Sequence, residues 1–111
     1  MTQSTHWTSI CKLQDIAPNT GVCALVNGKQ VAVFRLANND ALYAVGNFDP
    51  AGQANVLSRG LIADLDGVIS VASPLYKHHY CLESGACKED EALSVPTYQV
   101  RLKEGLVEIA A

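Results

Sequence analysis

The sequence predicts an all-β domain. Short runs of Val, Ile, Leu, Tyr and Phe recur between turn signals, Asn27-Gly28 and Asp66-Gly67 stand as turn dipeptides, and no long segment repeats with a helical period. The 111 residues suit one core, expected over 1–111, and are too few for two ordinary domains.

Residues 7–13 read as a first short strand, followed by a loop at 14–21 in which Pro18 and Gly21 end the extended run. Residues 22–26 and 29–35 flank Asn27-Gly28, whose two members tolerate positive φ, so a two-residue hairpin is expected there. Asn38-Asn39-Asp40 turns the chain into a strand at 41–45, with Leu42 and Ala44 on one face and Ala41, Tyr43 and Val45 on the other. Residues 46–66 read as a loop about twice the usual length, with at most a short piece near Val56-Leu57, and such a loop is a candidate functional element. Residues 68–73 alternate as a strand that stops at Pro74, and 74–77 form a second loop. Residues 79–82 read as a short strand, 83–85 as a turn and 88–91 as a solvated acidic segment. The end is a hairpin: 97–103 alternates Tyr98, Val100 and Leu102 against Gln99, Arg101 and Lys103, Glu104-Gly105 turns, and 106–109 returns.

Eight Lys and Arg against eleven Asp and Glu leave a net charge of −3, which offers little to a phosphate backbone, so no nucleic-acid partner is expected. Residues 1–7 show no basic stretch leading into an apolar one, and no run approaches the roughly 18 apolar residues of a membrane span. A soluble cytoplasmic protein without a membrane partner is the expectation. Its four cysteines, Cys11, Cys23, Cys81 and Cys87, form no C-x-x-C pair, and free thiols are the norm in that compartment.

One stretch gathers potential metal ligands. In a strand His79 and Cys81 project to one face, and a turn at Gly85 could return Cys87 toward them, giving three ligands for a metal or thiol site. The competing reading makes His79 a surface residue and the two cysteines small core residues. A Cys81–Cys87 disulfide is disfavoured by compartment. A Cys81–His79 dyad has no marked oxyanion hole or third orienting group nearby, and no phosphate-binding glycine loop or paired acid–base carboxylate motif occurs.

The order of the pieces carries more than any single motif. A meander of strands delivers Asn47-Phe48-Asp49-Pro50-Ala51, a later strand delivers Val71-Ala72-Ser73-Pro74-Leu75-Tyr76-Lys77, and Tyr80-x-Leu82-x-x-Gly85 and the terminal hairpin follow. This order resembles the Rieske ferredoxin fold, an antiparallel β-sandwich with a smaller cluster-binding subdomain, whose two loops carry C-P-H and C-P-x-H-G. Pro50 and Pro74 fall on the two prolines, which puts the loops at about 46–55 and 73–79. The resemblance places Asp49 and Ser73 at the cysteine positions and Ala51 and Tyr76 at the histidine positions. A Rieske centre needs two thiolates and two imidazoles. Ala51 has no donor atom, Ser73 is a poor ligand unless ionised, Tyr76 offers a phenol, and only Asp49 could hold iron.

Thr20-Gly21-Val22-Cys23-Ala24-Leu25, Val56-Leu57-Ser58-Arg59-Gly60-Leu61-Ile62 and the Val71 phrase resemble one subgroup of this fold, the small subunits of bacterial NADH-dependent assimilatory nitrite reductases. The resemblance implies that the redox chemistry sits in a separate large catalytic subunit carrying FAD, sirohaem and [4Fe–4S]. This chain would hold no cofactor and no catalytic residue, and would dock on or regulate that subunit during NADH-driven reduction of nitrite to ammonium. Phe48, Arg59, Tyr76, Lys77 and His78, around the loop tips, are then the expected partner contacts. The bland alternatives are solvated charges at Arg59 and Lys77 and space-filling plugs at Phe48 and Tyr76. Two other functions stay open at this point: an electron-transfer Rieske-type [2Fe–2S] protein, or a small metal or thiol protein using His79, Cys81 and Cys87.

Overall fold

In the computed structural model, which describes residues 6–37, 39–75 and 78–110, the run Val31-Ala32-Val33-Phe34 is buried along its whole length. A strand sends alternate side chains to opposite faces, so an unbroken apolar run signals burial on both. Val31 and Val33 enter one hydrophobic cluster with Ile16, Val26, Ala44, Val107 and Ile109. Ala32 and Phe34 enter a second with Val45, Leu57, Val71, Tyr80 and Leu82.

The elements that build these two cores follow in order. They are β1 (Trp7–Lys12), a 3-10 turn (Leu13–Asp15), β2 (Thr20–Val26), β3 (Lys29–Arg35), β4 (Leu42–Gly46), β5 (Phe48–Asp49), β6 (Ala54–Asn55), a second 3-10 turn (Leu57–Arg59), β7 (Leu61–Leu65), β8 (Val68–Ala72), β9 (His79–Cys81), β10 (Thr97–Tyr98), β11 (Val100–Lys103) and β12 (Leu106–Ala110). The central sheet runs β10-β4-β3-β2. Sheet β1-β12-β11 contributes Val107 and Ile109 to the first core, and the smaller sheet β7-β8-β9 contributes Val71 and Tyr80 to the second. The β5–β6 hairpin projects from the end of β4. Pairing is antiparallel throughout these sheets, so the all-β sandwich with a smaller subdomain is the observed architecture. Among the described residues no helix is long and apolar enough to cross a membrane.

Three two-residue hairpins sit where the turn dipeptides place them. Asn27-Gly28, Asp66-Gly67 and Glu104-Gly105 all have positive φ at both residues, which matches the right-handed twist of the flanking strands. Two expectations need correction. The stretch 46–66 is not one loop, because it holds β5, β6, the second 3-10 turn and β7, which pairs with β8 from Leu61↔Ala72 to Leu65↔Val68. The alternation that marks a strand is missing from Leu61-Ile62-Ala63-Asp64-Leu65: Leu61 is exposed while Ile62 and Ala63 are both half-buried. The stretch 97–103 is not one strand either. Thr97 and Tyr98 pair with β4, whereas Val100 onward pairs with β12, so one extended segment changes sheets at Gln99.

Gly60 joins the second 3-10 turn to β7 and fixes how closely both lie on β8. Its N–H donates to the Leu57 carbonyl at 2.9 Å, and a Cβ placed on it would press on Val71 Cγ2 at 2.6 Å and on the Ala72 carbonyl oxygen. Overpacking of this kind costs about 1–3 kcal/mol, so Gly60→Ala is expected to lower the unfolding free energy by about that much in a urea titration. An unchanged midpoint would show that the turn can lift from β8.

Candidate functional site

The two loops named by the Rieske resemblance meet over a buried carboxylate. Asp49 closes β5 and is 0% exposed. Its own loop turns tightly around it: Ala51 N–H donates to Asp49 Oδ1 at 2.9 Å, and Gln53 N–H donates to the Asp49 carbonyl at 2.7 Å, with Gln53 at φ 58°. Ser73 follows β8, and its N–H donates to the His78 carbonyl at 2.8 Å to close the second loop. The Ser73 hydroxyl donates to Asp49 Oδ2, and Tyr80, from β9, donates its phenol to Asp49 Oδ1 at 2.7 Å. With the Gly52 N–H as a further donor, the carboxylate has about as many donors as an ionised group can accept.

The charge is therefore held by hydrogen bonds rather than by a cation; none of the ion pairs among the described residues includes Asp49. Burial alone would raise the Asp49 pKa, but the bonds from Ser73, Tyr80, Gly52 and Ala51 outweigh it and hold the carboxyl below its ordinary value. Burial and the bond to Asp49 push the Tyr80 phenol well above its ordinary value, which keeps it a donor.

Asn47 anchors the base of the first loop. It is buried, its Nδ2 donates to Gln30 Oε1 at 3.0 Å, its Oδ1 accepts from Ser58 N–H at 2.7 Å, and its carbonyl accepts from Leu57 N–H at 3.1 Å. The loop tips also touch. A Cβ on Gly52 would lie 2.7 Å from Leu75 Cδ1 and 2.8 Å from Asp49 Oδ2, so the second loop packs directly on the first.

This donor set does not fit a Rieske centre. Ala51 has no ligand atom, and the Asp49 carboxylate and Ser73 hydroxyl bond each other and Tyr80. The profile of the Rieske-like [2Fe-2S] domain nevertheless matches residues 6–110. A Salmonella typhimurium protein described as the small subunit of nitrite reductase (NADH) is 51% identical over 104 residues, covering 94% of this chain and 96% of that one. The chain belongs to that small-subunit family.

A Mycobacterium tuberculosis structure described as an NADH-dependent nitrite reductase small subunit superposes with a TM-score of 0.93 at 39% identity, covering 98% of this chain and 97% of that one. The ferredoxin of carbazole 1,9a-dioxygenase from Nocardioides aromaticivorans shares the fold, with a TM-score of 0.81 at 22% identity, covering 94% of this chain and 96% of that one. A Klebsiella oxytoca nitrite reductase [NAD(P)H] large subunit is 38% identical over 104 residues, which is 94% of this chain and 11% of that protein.

In this member of the small-subunit family two of the candidate metal ligands, His79 and Cys87, meet the same carboxylate, Glu89, rather than a shared metal position. Among the described residues no three His, Cys, Asp or Glu side chains stand as a metal would need them, and all four cysteines are free thiols, so the Cys81–Cys87 disulfide is not formed. His79 is taken up by Glu89 instead: the carboxylate accepts from His79 N–H at 2.7 Å and meets Nδ1 at 2.6 Å. Burial would raise the Glu89 pKa, but the His79 backbone and ring bonds lower it to about 2. Cys87 stands opposite Tyr80 and joins the second core.

Of the expected partner contacts, Phe48 and Arg59 are exposed and His78 is half-buried, with its Nδ1 out of solvent and unpaired among the described residues. Tyr76 and Lys77 lie outside the described residues. Tyr80 and Asn47 are the site residues that a search for metal ligands passes over. A buried tyrosine needs a partner for its hydroxyl, and that rule applied to Tyr80 would have pointed to Asp49.

A carboxylate whose folded pKa lies below its unfolded one stabilises the fold fully above the unfolded value, about 3.9, and loses that contribution as pH falls through the folded value. Stability is expected to drop below about pH 4, and Asp49→Asn to flatten that limb in part, leaving the contributions of Glu89 and Glu108, whose carboxyls are also held below their ordinary values. At neutral pH Asp49→Asn is expected to cost about 2–4 kcal/mol, since its amide group would face the Ala51 and Gly52 donors, and Tyr80→Phe about 1–3 kcal/mol. Urea titrations between pH 2.5 and 7.5 read both effects. A mutant acid limb identical to the wild-type one would contradict the assignment.

Proposed function

We propose that this chain is the cluster-free small subunit of a cytoplasmic NADH-dependent nitrite reductase and works by docking on its large catalytic subunit. The observation that carries the reading is the closed Asp49–Ser73–Tyr80 bond set, which commits the side chains at the two cysteine positions of the Rieske pattern to each other and to Tyr80. Such a chain keeps the shape of an electron-transfer domain and gives up the transfer. Its residues 1–111 form one unit that contributes a surface, while the FAD, sirohaem and [4Fe–4S] implied by the resemblance belong to the large subunit. The isolated chain then has no activity of its own.

The Klebsiella large subunit supports the partner, because a domain of this kind there shares one polypeptide with the rest of that protein. Two chains that also occur fused have a reason to meet when separate. Phe48, Arg59, Tyr76, Lys77 and His78 mark the surface proposed for the contact.

Reconstitution tests this. Large subunit purified without the small one is expected to reduce nitrite with NADH slowly, and addition of this chain to restore both a stable complex and full turnover to ammonium. Full activity without the chain, and no complex by size-exclusion chromatography, would overturn the reading.

A further inference from the structure

A groove of about 320 Å³ lies beside the loops. Arg59, Gly60 and Leu61 line it from the turn into β7, Ala72, Ser73 and Pro74 from the end of β8, and His79, bonded to Glu89, from β9. Its shape is set by rigid parts, since Gly60 lies flush on β8 and the Ser73 end of β8 is tied to Asp49. The volume is at the bottom of the roughly 300–1,000 Å³ range of small-molecule pockets, suited to an anchoring side chain rather than a cofactor.

Two further observations describe what would fill it. Leu61 is 77% exposed, the most exposed of the large apolar side chains among the described residues, and it stands at the rim of an apolar groove. Burial of such a residue on docking is what drives association. Among the described residues lining the groove Arg59, at the same rim, is the permanent cation, and the ion pairs among the described residues use Arg35, His79 and Arg101 but not Arg59. An exposed guanidinium next to an apolar slot matches a partner that offers a carboxylate beside an apolar side chain.

We infer that the Arg59–Leu61 groove is the anchoring pocket for the large subunit, and that it takes one apolar side chain whose neighbour carries a carboxylate. The inference rests on the docking reading above and narrows it from two loop tips to one pocket. It also assigns Arg59 and Leu61 different work. Leu61 supplies buried apolar area, and Arg59 supplies a salt-sensitive ionic contact that orients the partner.

The experiment is a binding titration of the purified large subunit with the full-length chain and four variants, at low and moderate salt, with thermal melts as a check on folding. Leu61→Asp and Arg59→Glu are expected to raise Kd at least tenfold while melting like wild type. Arg59→Ala is expected to raise Kd less and to reduce its salt dependence. Leu25→Asp, at a position 71% exposed on β2 and not on the groove, is expected to bind within twofold of wild type. If wild type binds and the Leu61 and Arg59 variants bind equally well, the groove is not the anchor, although the docking reading stands. If wild type itself does not bind, the docking reading falls and the groove assignment with it. If the chain self-associates and Leu61→Asp abolishes that without affecting the large subunit, the occupant is a second copy and the inference is overturned.

Discussion

A single ionised carboxylate, held by hydrogen bonds and in none of the ion pairs among the described residues, ties the small subdomain together. Asp49 on the first loop accepts from Ser73 on the second and from Tyr80 on β9, so three separate pieces of chain converge on two oxygen atoms. In a Rieske centre that joining role falls to a metal cluster gripped from both loops. Here it falls to hydrogen bonds to a charged acceptor, which are individually stronger than neutral ones and which a buried site cannot leave unmade without cost. The network also constrains its members. Ser73 and Tyr80 must be donors, Ala51 and Gly52 must present N–H groups, and Gly52 cannot carry a side chain without meeting Leu75 or Asp49 itself.

The network sits where it does because of β3. Its double-sided burial makes the central sheet the wall of two cores, and β4, paired to it, delivers the first loop directly over the second core. Asn47 carries that positioning onward by bonding Gln30 on one side and the backbone of the 57–58 turn on the other. Tyr80 then serves both levels, its ring in the second core and its hydroxyl on Asp49.

Most of the frame was legible in the sequence, for local reasons. Asn27-Gly28, Asp66-Gly67 and Glu104-Gly105 specify their hairpins through positive φ, and 29–35 reads as a strand from its place in the first of them, although its burial on both faces emerges only with the two cores around it. The resemblance to the Rieske fold put Asp49 and Ser73 at the two cysteine positions of one site. What stayed hidden depended on partners distant in the chain. β7 is defined by its register with β8 and carries no alternation of its own, and the change of sheet at Gln99 follows from β4 and β12 competing for one segment. His79, Cys81 and Cys87 read as metal ligands by spacing, but Glu89 takes the imidazole and accepts from the Cys87 thiol, which packs in the second core.

In this chain the space between the two loops of the Rieske-like fold is thus taken by its own side chains, Asp49, Ser73 and Tyr80. On this reading Asp49, Ser73 and Tyr80 replace the cluster rather than accompany one. Iron and acid-labile sulfide determination on chain purified anaerobically, read together with its visible absorption spectrum, tests this most directly. A folded, colourless protein with negligible iron and sulfide is expected. Stoichiometric iron and sulfide with thiolate-to-iron absorption bands would contradict it.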